Sequence, residues 1–86
     1  MDNEKLAKAI VALYKLSSSD VDKWDDADEA INSAAFLLFE KVDCGAIDFG
    51  VLLVKNGMSQ ELTQDFCDVS ARTLGLACRE AGLKPF

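Results

Sequence analysis

The stretch AIDFGVLLVK, residues 46–55, decides the fold class of this chain. A run this apolar suits either a buried strand or a short buried helix. A strand needs a pairing partner, and the chain contains no second convincing strand, so a strand here would have to pair across a dimer. We therefore predict a helix, which Asn56-Gly57 ends in a left-handed conformation.

The segment at the start of the chain predicts a first helix. Residues 3–16 place apolar side chains at helical spacing, and Asp2 or Asn3 can serve as the N-cap. The serines at positions 17–19 favour caps and turns over helix interiors, because their hydroxyls compete for backbone hydrogen bonds. The first helix is therefore expected to end there.

A longer helix is predicted over residues 26–43, with Asp25 or Asp26 accepting hydrogen bonds from its first free N–H groups. Its segment AAFLLFEKV is apolar on more than one side, which is typical of a helix buried between neighbours. An apolar stripe with a seven-residue repeat runs along it: Trp24, Ile31 and Leu38.

The last helix is predicted over residues 60–81, capped by Ser59 and stopped by Gly82. It carries two apolar stripes. One stripe consists of Leu62, Phe66, Val69, Thr73 and Leu76, and the other of Cys67, Ala71, Leu74 and Cys78. The predicted fold is all-α, a compact bundle of four to five helices that forms a single domain over residues 1–86.

Composition limits the functions open to this chain of 86 residues. Fifteen acidic against nine basic residues give a formal charge of −6, which disfavours binding to DNA, RNA or anionic lipid. No apolar run approaches the roughly 20 residues that span a bilayer, and the acidic start is unlike a secretory signal. The three cysteines are an odd number, as expected in a reducing cytoplasm, and Cys67 and Cys78 on one straight helix would lie about 16 Å apart, too far for a disulfide.

The residues that carry most enzyme chemistry are missing. The chain has no histidine, no C-x-x-C spacing and no glycine-rich phosphate loop. Their absence disfavours His-based acid–base catalysis, the usual nucleophile pairs, structural zinc sites and nucleotide binding. We therefore predict no enzyme activity, no catalytic residue, no cofactor and no metal site.

The stretch DVDKWDDADEAI, residues 20–31, superficially resembles a calcium loop. It places Trp24 where an oxygen ligand is usual, Asp25 where the sharp turn requires glycine, and Ile31 where a bidentate glutamate belongs. These mismatches disfavour an EF-hand.

Residues 52–66 look like a helix-turn-helix, with Gly57 in the turn and Ser59 opening the next helix. The second helix, however, carries acidic side chains near its start, and Arg72 and Arg79 come too late in one long helix to serve it. Because phosphates repel carboxylates, an ordinary helical hairpin is the better interpretation.

The densest charge in the chain surrounds its only tryptophan. Capping needs one or two carboxylates, so capping and solvation explain part of this cluster and leave acidic residues in excess. Trp24 fits either a core position or an aromatic anchor at an interface. The predicted partner-binding residues, called the acidic surface below, are Asp20, Asp22, Trp24, Asp25, Asp26, Asp28 and Glu29.

These observations predict a non-enzymatic protein-binding module, an inhibitor or adaptor whose acidic surface occupies a basic surface of a partner protein. That partner surface is one that can itself hold nucleic acid, and small size and acidity are shared in general with phage anti-defence proteins and bacteriocin immunity proteins. The alternative is a structural or regulatory homodimer built through apolar helix faces. A small enzyme and a DNA-binding helix-turn-helix protein are weaker alternatives.

Overall fold

The computed structural model describes residues 2–17 and 21–83. Over these residues the chain forms five α-helices and one short 3₁₀ helix, Val21–Lys23, and no strand. The all-α prediction and the expected number of helices are confirmed. The chain divides into two compact units, Met1–Val42 and Asp43–Phe86. A single domain over residues 1–86 stays a prediction.

The first unit contains helices α1 (Asn3–Lys15) and α2 (Asp26–Phe39), which pack on each other. Asp2 caps α1, as predicted, because its carboxylate accepts a hydrogen bond from the Glu4 N–H. The fully buried face of α1 follows the helical repeat and consists of Leu6, Ala7, Ile10 and Val11. From α2, Ala35 is the fully buried contribution, a small residue that lets two helices approach closely.

Helix α2 is shorter than the sequence predicts. It ends at Phe39, four residues before the expected limit at Asp43. The N–H groups of Lys41 and Val42 donate to carbonyls three residues earlier. This is the hydrogen-bonding pattern of a 3₁₀ turn, and it ends the α-helix. The apolar pattern of residues 34–42 gave no sign of this ending, since it contains neither glycine nor proline.

The second unit consists of α3 (Ala46–Lys55), α4 (Gln60–Cys67) and α5 (Ala71–Glu80), each of which contacts the other two. The helix predicted over residues 46–55 is confirmed with its bounds, and the strand paired across a dimer is wrong. Gly57 adopts a φ of 109°, and the Met58 N–H donates to Leu53, which satisfies a carbonyl at the end of α3. The buried residues of this unit are Phe49, Gly50, Leu53, Met58, Gln60, Thr63, Phe66, Cys67, Leu74 and Cys78.

The single helix predicted over residues 60–81 is wrong, because the chain breaks between α4 and α5. Asp68 takes a left-handed conformation, with φ 55° and ψ 49°, and ends α4. The Ser70 hydroxyl then accepts a hydrogen bond from the Thr73 N–H and caps a new helix. The left-handed conformation of Asp68 is visible only in the structure, and the continuous apolar spacing hid the capping role of Ser70.

The break reassigns the two apolar stripes predicted for this helix. Leu74 and Cys78 lie fully buried in α5, whereas Thr73 and Leu76, assigned to the other stripe, are exposed. In α4, by contrast, both stripes contribute to the core, since Phe66 from one and Cys67 from the other are buried. Turning the chain at Asp68 therefore lets one core receive residues that a straight helix would separate.

The three cysteines are free thiols in the structure, as predicted. Cys67 and Cys78 lie on different helices, so the distance of about 16 Å expected for one straight helix does not apply to them. Burial raises the pKa of Cys67 to about 11, with a further contribution from the thiol of Cys44, so its reactive thiolate is scarce at neutral pH. Among the described residues, no helix has both the length and the apolar composition that crossing a membrane requires.

Candidate functional site

The start of α2 is built around a reciprocal pair of aspartates. The Asp25 carboxylate accepts a hydrogen bond from the Asp28 N–H at 3.1 Å, and the Asp28 carboxylate accepts one from the Asp25 N–H at 3.0 Å. This capping box satisfies two backbone donors that a helix start would otherwise leave open. Two members of the acidic surface therefore have a structural role, as the capping prediction for this helix start required.

These hydrogen bonds change the acidity of the cap. The backbone N–H of Asp28 is the main reason that the pKa of Asp25 is lowered, since it stabilises the charged carboxylate. A lowered pKa in the folded state means that the contribution to stability is complete above the pKa of an unfolded aspartate. That contribution is lost as pH falls through the lower, folded value.

Asp25→Ala is expected to lower the urea midpoint of unfolding at pH 7, because the Asp28 N–H loses its acceptor. The difference from wild type should shrink as the pH is lowered below the aspartate range, where the native cap is itself protonated. Urea titrations followed by circular dichroism at several pH values measure this. A difference that stayed constant with pH would contradict the charged cap, and Asp25→Asn is the matched variant that keeps an acceptor oxygen.

Three other members of the acidic surface project into solvent. Asp22, Asp26 and Glu29 are exposed, and Asp26 and Glu29 make no side-chain hydrogen bond or ion pair with the part of the chain that the structure describes. Asp20 lies outside the described residues. Capping therefore involves only some of the carboxylates in this cluster. The remaining exposed carboxylates are the excess of negative charge that the sequence suggests.

Trp24 lies half-buried at the edge of this surface. Its ring centroid is 6.3 Å from that of Tyr14, within the range of aromatic pairs, and the two rings are inclined by 30°. The sequence left open whether the indole belongs to the core or to an interface, and the structure gives it both a packed side and an exposed part. Ile31 and Leu38, its predicted partners in the seven-residue stripe, are likewise only half-buried.

A polar contact joins α1 to α2 beside the aromatic pair. The Tyr14 hydroxyl donates a hydrogen bond to the Asn32 side-chain oxygen. Burial raises the pKa of Tyr14 to about 12, so the phenol keeps its donor proton at any physiological pH. Sequence reasoning did not find this pair, because two residues eighteen positions apart carry no shared periodic signal.

The acidic surface combines exposed carboxylates with a partly buried tryptophan. Within residues 2–17 and 21–83, no group of three histidine, cysteine or acidic side chains is placed to ligate a metal. Exposed carboxylates beside a partly buried tryptophan offer negative charge and an aromatic side chain to a cationic surface. Comparison with known proteins adds no relative, since no protein-family model, curated protein or solved structure matches this chain significantly.

Proposed function

We propose that this chain is a non-enzymatic protein-binding module, an inhibitor or adaptor that uses the acidic surface to occupy a basic surface of a partner protein. The observation that supports this is the exposure of Asp22, Asp26 and Glu29 beside a half-buried Trp24, after Asp25 and Asp28 are accounted for by the cap. A partner surface that normally holds nucleic acid has the required positive charge. The buried free thiols agree with a cytoplasmic location, which belongs to the same proposal.

The two parts of the surface act on different steps of binding. Carboxylates in solvent attract a basic partner over several ångströms and raise the association rate, an effect that salt screens. The part of Trp24 that remains accessible loses water only on contact, so it slows dissociation. The proposal therefore requires an association rate that falls with added salt.

The charge-reversal variant Asp26→Lys with Glu29→Lys tests the proposal and keeps both hydrogen bonds of the cap. Because both positions lie in the first turn of α2, where positive charge is unfavourable, circular dichroism should show the variant to be folded. Binding to the partner, recovered by affinity capture and then purified, should weaken by about tenfold or more, mostly through a slower association rate. Surface plasmon resonance at two salt concentrations separates the two rates. Asp25 is avoided, because replacing it would also disturb the start of α2.

The matched control is Glu61→Lys with Asp65→Lys, which makes the same change of charge on exposed positions of α4. It should leave the affinity within about twofold of wild type. Equal weakening by both variants would reduce the effect to net charge, and unchanged affinity in the Asp26/Glu29 variant would remove the acidic surface as the contact.

A homodimer built on apolar helix faces is the second candidate. Ile47 on α3 and Leu76 on α5 are large apolar side chains that remain 38% and 51% exposed, and Leu37 on α2 is 63% exposed. Exposed apolar side chains of this kind, on either unit, can mark an interface between copies. Light scattering separates the candidates, since a monomer mass at micromolar concentration rules out the stable dimer.

A further inference from the structure

The break at Asp68 creates a helix-turn-helix that the continuous pattern had hidden. Helix α4 has eight residues, α5 has ten, and only residues 68–70 separate them. The two helices pack on each other and both pack on α3. A three-helix unit with a turn of three residues between its last two helices is the arrangement in which a DNA-binding protein presents its second helix to the major groove.

Helix α5 has a buried face and an exposed face that carries two arginines. Leu74 and Cys78 are fully buried. Outward, Arg72, Leu76 and Arg79 follow one another at spacings of four and three residues, so they lie on one side, and all three are exposed. This row is about 10 Å long at 1.5 Å per residue and fits within a major groove about 12 Å wide.

We propose that the exposed face of α5 binds duplex DNA through the major groove. Arg72 and Arg79 supply charge to phosphates or a bidentate pair of donors to a guanine, and Leu76 offers apolar contact to a thymine methyl group. The Thr73 hydroxyl accepts a hydrogen bond from the Ser70 hydroxyl, and its own hydrogen can rotate toward an acceptor on DNA. The Ser70 cap fixes the first turn, where groove-reading residues lie.

Binding of α5 to DNA differs from the prediction that the chain makes no direct contact with nucleic acid. One ground for that expectation was that Arg72 came late in a long helix, and the structure instead places it in the first turn of α5. The other ground, the negative charge, remains and sets the strength of binding. Four exposed acidic residues lie on these elements, at Glu61 and Asp65 on α4, Asp68 in the turn and Glu80 at the end of α5. Against them stand two arginines, so we expect weak affinity with a salt slope of about −2, near −0.9 for each phosphate neutralised.

The test begins by selecting from a library of random duplexes with the full chain, at about 20 mM salt. Fluorescence polarisation with the enriched duplex, fluorescein-labelled and about 20 base pairs long, then gives affinities for variants that circular dichroism shows to be folded. Arg72→Ala should weaken binding by about tenfold or more, which is the discrimination expected from one bidentate arginine. Lys8→Ala, which removes an equal charge from an exposed position on α1, should change it by less than about threefold.

Failure of the wild-type chain to enrich or bind any duplex at low salt would overturn the inference. So would equal losses in Arg72→Ala and Lys8→Ala, since the effect would then be net charge alone. If Arg72→Ala weakens capture of a protein partner while no duplex binds, the face is a protein interface and the DNA proposal is wrong. The acidic-surface variant should not weaken duplex binding, so the two proposals fail independently.

Discussion

Phe49→Ala is expected to destabilise the second unit by about 3–5 kcal/mol, the largest stability effect expected here. The Phe49 ring is fully buried at the centre of α3, where its removal forfeits apolar burial and leaves a cavity. For a protein of this size, such a loss lowers the melting temperature by at least about 12 °C. Thermal melts followed by circular dichroism measure the effect.

Ile47→Ala on the same helix is the control for this change. Ile47 is 38% exposed, so truncating it removes less buried surface and leaves no sealed cavity. Its cost should stay near 1 kcal/mol or below, that is, about a third of the Phe49 effect or less. Similar melting temperatures for the two variants would mean that the ring is not part of a packed core.

Gly50→Leu should be the second most damaging substitution, at about 2 kcal/mol or more. A Cβ at position 50 would lie 3.1 Å from a methyl carbon of Leu74 and 3.4 Å from the Thr63 methyl, both on fully buried residues. The three further carbons of leucine have no space between α3, α4 and α5, and overpacking of this kind commonly costs about 1–3 kcal/mol. The improved helix propensity, about 0.8 kcal/mol over glycine, offsets only part of that cost.

The matched substitution is Gly75→Leu in α5. A Cβ there would meet nothing within 4 Å, so only the gain in helix propensity remains. We expect the urea midpoint to rise for Gly75→Leu and to fall for Gly50→Leu. Opposite signs for one chemical change would show that close approach of the helices, rather than flexibility, requires glycine at position 50. Destabilisation by both variants to the same extent would contradict this.

Local chemistry was predictable wherever one residue satisfies a backbone group nearby. Asp2, Asp25 and Ser59 each cap the helix start that the sequence assigned to them. Gly57, with its positive φ, stops α3 where predicted. These interactions span two to five residues, so the sequence contains both partners side by side.

The residues that make up the candidate site were predictable, but the role of each residue was predictable only in part. The sequence identified the acidic surface and its tryptophan, but Asp25 and Asp28 bind each other's backbone, whereas Asp26 and Glu29 extend into solvent. Trp24 meets Tyr14, a contact between segments whose separation along the chain hides it from any periodic pattern. The sequence therefore showed the excess of negative charge. It did not show which carboxylates cap the helix and which extend into solvent.

The sequence by itself determined that the chain is helical, where most helices begin, and that negative charge gathers around residues 20–29, because propensity, capping and charge are properties of neighbouring residues. Only the tertiary structure decided that α2 ends at Phe39 and that α4 and α5 separate at Asp68. Apolar spacing continues through both positions, so local periodicity favours one long helix in each case. The turn at Asp68 lets Phe66, Cys67, Leu74 and Cys78 all be buried in one core, and burial of apolar surface is the dominant favourable term in folding.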